Sequence, residues 1–323
     1  MRQRAIRQEY VVLVTAVLIA AIFGIIVPQS LSLPNLALLF KSVSVVAIFA
    51  IGMAVVVIGR GIDLSQVSVV VVATAWVVSL MGVGVPTAVA IGYGLLFAIF
   101  AGVVNGIIVA YLEVPAVIAT LSSGLVVLGF GRFFLLDRSM VQLSSDAKFI
   151  HMLGKGNIGG VPVSVIVFLV LLLLFAMAAR STVYGRFIYA IGDNPEASRI
   201  TGLAVRPLIV SQYVLSAVIG YVGGLVMAGS VGSVNLNIAN GTMLFDVLTI
   251  VIVGGISLVG GRGGALSIIV GMTLIGVLIN GLILLNVPSD IQSVFRGAVL
   301  LAAVAADSLL NPRDEETARQ GEL

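Results

Sequence analysis

Ionisable and nucleophilic groups are scarce in this chain, and their placement excludes more chemistry than it offers. There is one histidine, His151, and there is no cysteine. That removes disulfides, thiol catalysis, Cys-based metal sites and a His-cluster metal site, and leaves the redox compartment open. No nucleophile has a base and an orienting group beside it, because His151 stands alone in a polar stretch. Asp63, Glu113 and Asp246 fall in turns or at the ends of apolar runs, so they do not form the paired carboxylates of an intramembrane protease. The Gly-rich run from Gly254 to Gly263 has no strand before it and no Gly-Lys-Ser/Thr, so it is not a phosphate loop. Neither an enzyme, nor a nucleotide site, nor a metal is expected in this chain.

The few polar groups must be positioned by membrane helices. The chain is 60% hydrophobic and 10% charged, with a mean hydropathy of +1.21; a soluble domain carries roughly 25% charged residues. Its net charge of +3 is small and its arginines are scattered, so nucleic acid is not an expected partner. A span needs about 20 apolar residues. Such runs lie near 10–27, 36–58, 67–81, 87–111, 115–136, 162–179, 207–229, 244–259, 265–285 and 291–308. The fold class is therefore all-α and polytopic, with about ten transmembrane helices. Tyr10–Val27, preceded by Arg2, Arg4 and Arg7, reads as an uncleaved first span. Most arginines then fall on one side, which by the positive-inside rule is the cytoplasm and holds both termini. Lys41, Arg132 and Arg296 lie near outer ends of spans and can snorkel outward. Residues 1–323 form a single transmembrane domain, with cytoplasmic tails 1–9 and 311–323, an outer loop 137–161 and an inner loop 180–206.

The inner loop carries a local structure code. Asn194 can cap a helix, Pro195 suits its first position and Glu196 its first turn, where the dipole favours an anion. Ala197 follows, Arg199 sits in the last turn, and Gly202 is placed to end the helix in a left-handed conformation. Asn194–Gly202 is thus expected as a helix of about two turns, too short to be stable alone. It rests either on its own membrane domain, as an interfacial helix, or on a partner protein. Elsewhere, Gly59–Ser68 joins the second and third spans; Asp63 could cap the third helix there, and Gly61 eases a tight turn. Ser230–Thr242 suits turns or a short re-entrant piece. Asp246, at the outer end of the eighth span, marks a pathway or merely caps a helix. The outer loop mixes Asp137, Arg138, Asp146, Lys148 and Lys155 with glycines, as a solvated linker or as a landing surface for an external protein.

Asn105-Gly106 precedes Val114-Pro115, and Asn280-Gly281 precedes Val287-Pro288. In the ten-span topology the two copies point in opposite directions, as an inverted repeat requires. A small residue beside Asn equally suits close helix packing with an interhelical hydrogen bond.

Several of these stretches resemble known permeases. Glu196-Ala197-Ser198 with Gly202 looks like the EAA-type loop of bacterial ABC importer permeases. Gly185-Arg186, Tyr189-Ala190 and Gly192 extend that likeness to the ribose-type sugar permeases. Gly61-Ile62-Asp63-Leu64-Ser65 resembles a strong signature of the same family, although Gln66-Val67 stands where the family usually has Gly-Ser. Val114–Leu121 adds to the likeness. So does Gly254-Gly255-Ile256-Ser257-Leu258 with Gly260-Gly261-Arg262-Gly263, which resembles the family's Gly-rich turn.

The resemblance implies a type II ABC importer-like permease subunit for a sugar, in a bacterial inner membrane. It implies a second permease subunit, identical or homologous, a separate cytosolic ATPase carrying ATP and Mg, and an external solute-binding protein, all within membrane lipid. Asn194, Pro195, Glu196, Ala197, Arg199 and Gly202 would form the coupling helix. A weakly polar path would run between the two permeases, with Asn105, Ser122, Ser123, Asn280 and Asp246 as candidates. Branched-chain amino-acid permeases share the architecture. The alternative from another class is an ion-coupled sugar transporter, which usually places carboxylates mid-membrane, where this chain has almost none.

Overall fold

The structure, a computed structural model, describes residues 8–310. The expected tail 311–323, almost all of the tail 1–9, and Arg2, Arg4, Arg7, Arg313 and Arg319 lie outside the described residues. The helices are α1 (Gln8–Ile26), α2 (Leu33–Ile58), α3 (Gln66–Gly82), α4 (Thr87–Ala110) and α5 (Ala116–Phe130), the last prolonged to Leu135 by a wider turn. After them come α6 (Lys148–Lys155), α7 (Val163–Ser181), α8 (Val183–Asp193), α9 (Pro195–Ile200), α10 (Val205–Val231), α11 (Met243–Val253), α12 (Ala265–Leu284) and α13 (Ser289–Leu310). Among the described residues, 8 helices are long and apolar enough to cross a membrane, and α3 and α11 are shorter apolar helices. Together they are the expected spans. Pro and Gly delimit them: α2 starts at Ser32, whose Oγ accepts from Asn35 N, and α10 ends on Gly232 at φ +84°.

The core is built from α2, α3 and α10, with most of α3 buried and α1 and α13 largely exposed. α4 packs against α10, and α12 packs against α2; likewise α3 lies beside α10, and α11 beside α2. Each half of the chain thus leans on the long central helix of the other. The two Asn-Gly…Val-Pro copies close with the same turn. Glu113 at φ 55° precedes Val114-Pro115 and α5, and Asn286 at φ 53° precedes Val287-Pro288 and α13. Four spans separate α4 from α12, so the two copies run in opposite directions. The inverted repeat is present in packing and in turn geometry. Gly102 and Gly106, one helical turn apart, let α4 lie on the α10 backbone; a Cβ on Gly102 would come within 2.8 Å of Tyr213 O.

Two features differ from the sequence reading. The eighth span, expected over 244–259, ends at Val253. Gly255 at φ +99° breaks it, and its N–H and that of Ile256 bond back to Ile252 O and Val251 O. The same closure ends α2, with Arg60 at φ 71° and bonds from Arg60 N to Val57 O and from Gly61 N to Val56 O. Both breaks are buried against other segments, which is where irregular backbone survives in a membrane protein. The second difference is the outer loop, which is folded. Its α6 lies on α10 through Gly154 and Gly229, with Ser230 Oγ donating to Gly154 O at 3.1 Å. β1 (Met140–Gln142) pairs antiparallel with β4 (Ser233–Asn235), and β2 (Asn157–Ile158) with β3 (Val161–Pro162). The polar stretch after α10 is thus a strand and a short 3-10 turn.

Candidate functional site

At the end of the molecule opposite α6, the inner loop folds into two helices. Thr182 Oγ1 accepts from Gly185 N at 3.0 Å and starts α8, which buries Gly185, Ile188, Ile191 and Gly192. This helix was missed in the sequence; the spacing of Tyr184, Ile188 and Ile191 is the signal that could have found it. Asn194 then caps α9, its Oδ1 accepting from Ala197 N at 2.9 Å, with Pro195 in the first turn. Gly202 at φ +86° closes it, and Leu203 N bonds back to Ser198 O at 3.1 Å. α9 turns Ser198 inward and presents Glu196, Ala197, Arg199 and Ile200 to the outside. Glu196 and Arg199 pair at 3.6 Å, an exposed contact of little energetic weight. Ile200 is 85% exposed, a bare apolar side chain between charges.

Three segments distant in sequence meet beneath α9. Tyr189 Oη donates to Gly263 O at 2.7 Å. Gly261 N donates to Ile58 O at 2.8 Å. Gly192 lies against both, and a Cβ there would overlap Ile58 O. The end of α2, the end of α8 and the Gly-rich turn after α11 thus form one backbone joint. Its closeness is the reason for glycine at 192, 260 and 261, where Gly260 (φ +94°) and Gly261 (φ +68°) also adopt left-handed conformations. Gly254 packs on Ser267 O and Gly255 on Gln8, while Arg262 is exposed at the joint's rim.

Asp63 is not a surface turn residue. The chain leaves α2 and climbs back, so that Asp63, 2% exposed, reaches Ser216 in the middle of α10. Asp63 Oδ2 accepts from Ser216 Oγ at 2.8 Å, and Oδ1 accepts from Ser65 N at 3.2 Å and from Ser65 Oγ. Asn105 Nδ2 of α4 donates to Ser65 Oγ at 2.7 Å. Gln66 Nε2 donates to Phe49 O and Ser216 Oγ, each at 3.1 Å. The result is a buried polar knot joining the first break to α2, α4 and α10. Ser216 and Gln66 are both fully buried; Ser216 was not singled out in the sequence, because a Ser in an apolar run carries no pattern of its own, and Gln66 stood out only as a departure from the family string.

A second polar group lies towards the α6 end. Arg296 does not snorkel outward: its Nη1 donates to Asp246 Oδ2 at 2.9 Å and to Thr242 Oγ1 at 2.6 Å. Asp246 shares a cavity of about 220 Å³ with Asn280, Ser42 and Arg296. Asn280 also exchanges hydrogen bonds with Asn35, at 2.9 and 3.3 Å. Ser122 is exposed on α5, and Ser123 Oγ bonds back to Thr120 O at 3.0 Å. The candidate path residues are therefore in three places: Asp246 with Asn280, Ser122 with Ser123, and Asn105 in the Asp63 knot. Because Asp246 is buried and paired, Asp246→Asn should strand the Arg296 charge and lower stability by about 3–5 kcal/mol. Adding Arg296→Gln should restore most of the loss; both are read as thermal midpoints in detergent. A single variant as stable as the parent would show that the pair is not a structural tie.

The sequence matches the family model described as branched-chain amino acid transport system / permease component over residues 35–304. A probable ABC transporter permease protein, YphD, of Escherichia coli K12 is 32% identical, covering 96% of this chain and 92% of the relative. The ribose import permease protein RbsC of the same strain is 32% identical, covering 92% of each. The fructose import permease protein FrcC of Rhizobium meliloti is 29% identical over 91% of this chain and 84% of the relative. No solved structure matches.

Proposed function

The chain belongs to the branched-chain amino acid transport system / permease component family, and from that premise we propose that it is the membrane-spanning subunit of an ABC importer for a sugar. The substrate class is inferred from the relatives, named for ribose and fructose import. The work enters from a separate cytosolic ATPase that holds ATP and Mg, and an external solute-binding protein delivers the sugar. A second permease subunit, identical or homologous, completes the path. The face carrying α8 and α9 is cytoplasmic, as are both termini, in a bacterial inner membrane; the arginine distribution supports this orientation.

The observation that carries the reading is α9. It is a short capped helix that offers Glu196, Arg199 and an exposed Ile200 outward. A marginal helix of this length needs a partner surface, and a bare isoleucine ringed by charges suits a pocket on one. Behind it, α8 is tied through Tyr189 and Gly192 to the ends of α2 and α11. A push on α9 therefore reaches both helix breaks. The path residues proposed are Ser122, Ser123, Asp246 and Asn280, with Asn105 acting through the knot at Asp63.

The test is recovery of the ATPase with this chain from solubilised native membrane, read by mass spectrometry. Ile200→Asp is expected to weaken recovery by about 2 kcal/mol, or roughly 30-fold. Glu196→Lys should uncouple ATP hydrolysis from uptake without removing the chain from the membrane. An active chain that purifies alone would sink the proposal in favour of ion-coupled transport, and normal recovery with Ile200→Asp would remove α9 as the docking surface.

A further inference from the structure

A cleft of about 240 Å³ lies between α7, α8 and the facing parts of α2 and α10. Leu171, Phe175, Leu215 and Ile219 line it, together with Ala178, Tyr184 and Tyr189. The exposed lining is wholly apolar. Both tyrosine hydroxyls are engaged elsewhere, Tyr184 Oη with Ser211 Oγ at 2.6 Å and Tyr189 Oη with Gly263 O, so only their rings and neighbouring carbons face the space. Water needs two or more polar partners to be held in such a place and finds none. The chemistry of the lining calls for hydrocarbon.

The depth and the rim identify which hydrocarbon. From Leu171 to Arg180 along α7 the rise is about 13 Å, close to half of a bilayer core of about 30 Å. The α7 wall of the cleft therefore matches the hydrocarbon thickness of one leaflet. Arg180 follows Ala179 of the lining in the last turn of α7, and Arg186 follows Gly185 of the lining on α8. Both are exposed, and neither pairs with a carboxylate among the described residues. Apolar walls as long as one leaflet, with an unneutralised guanidinium one residue beyond the lining on each of α7 and α8, complement an anionic amphiphile.

We propose that an anionic phospholipid of the leaflet on the α9 side occupies this cleft. One acyl chain lies along Leu171, Phe175 and Ala178, and the phosphate rests on Arg180 and Arg186. The lipid braces α8 beside the glycine joint, because Ile58 and Tyr189 belong both to the cleft and to the joint. The proposal rests on the chain spanning a membrane and not on the identity of the ATPase.

The experiment is native mass spectrometry of the full chain, purified in mild detergent and titrated with phosphatidylglycerol or phosphatidylcholine. The chain is expected to retain phosphatidylglycerol roughly 30-fold better, the order expected for two basic residues at about 1 kcal/mol each. Arg180→Gln with Arg186→Gln, on exposed side chains, should erase the preference while keeping weak binding of both lipids. Ala178→Trp, which puts an indole into the lining, should reduce both. Equal retention of the two lipids by the parent chain would overturn the proposal, as would an undiminished preference in the arginine variant, which also decides the matter if Ala178→Trp does not fold. A dimer lost in Ala178→Trp with no lipid retained would assign the cleft to a second copy of the chain instead. Failure to recover an ATPase, with the lipid preference intact, would sink the importer reading and leave this one standing.

Discussion

Asp63→Leu is expected to abolish uptake and to lower the thermal midpoint of the detergent-solubilised chain sharply, whereas Asp63→Asn should keep most of both. The carboxylate accepts from Ser65 N, Ser65 Oγ and Ser216 Oγ in a place where water does not reach. Leucine leaves those donors buried and unpaired. Each costs about 1–3 kcal/mol, so the knot should lose on the order of 3–5 kcal/mol if the site relaxes in part. Asparagine keeps one oxygen to accept from Ser65, and Ser216 Oγ can accept from its amide. The pair of variants therefore separates hydrogen bonding from charge. If Asn is as damaging as Leu, the negative charge itself is needed; a harmless Leu would mean that the knot does not tie the break to α10. Asn105→Ala should be milder, because Ser65 Oγ loses one partner and keeps Asp63.

What the sequence made legible follows from where the information is local. The spans could be read because apolar runs are interrupted by Pro, Gly and arginine, and each of these acts on its own neighbourhood. α9 was readable residue by residue, since Asn194 as cap and Gly202 as left-handed terminator are contacts within a few positions. The repeat was visible as two short strings because its turn depends on one left-handed residue before Val-Pro. The early end of α11 was hidden because hydropathy continues through Ile256 and Leu258 after the helix has been broken at Gly255. Long-range partnership was not legible at all. Nothing near Asp63 in sequence points to Ser216, and nothing near Gly192 points to Ile58 or Gly261. The GIDLS string and the Gly-rich turn looked like two separate turns, yet each is half of an arrangement completed by another helix. The same holds for Arg296, whose place near a span end suggested solvent until α11 brought Asp246 to it.

Gly192→Val should leave the chain in the membrane and the ATPase docked, while uptake and substrate-stimulated ATP hydrolysis collapse together. The added carbons have nowhere to go, because Ile58 O and Gly261 N already lie against the glycine. They must push α8 away from the ends of α2 and α11 and lengthen the bond from Gly261 N to Ile58 O. Overpacking of this kind costs about 1–3 kcal/mol. A coupling equilibrium set by the joint would then shift by roughly 5- to 150-fold. Ala190→Val, two residues away on the exposed side of α8, adds bulk to the same helix and should do almost nothing. The docking surface proposed on α9 is untouched by either change, so ATPase recovery separates the outcomes. Recovery with lost uptake places the defect in transmission through the joint. Loss of both would mean that α8 and α9 come apart together and that the joint is a folding element. Normal uptake with Gly192→Val would show that motion of α9 reaches the helix breaks by another route, or does not reach them at all.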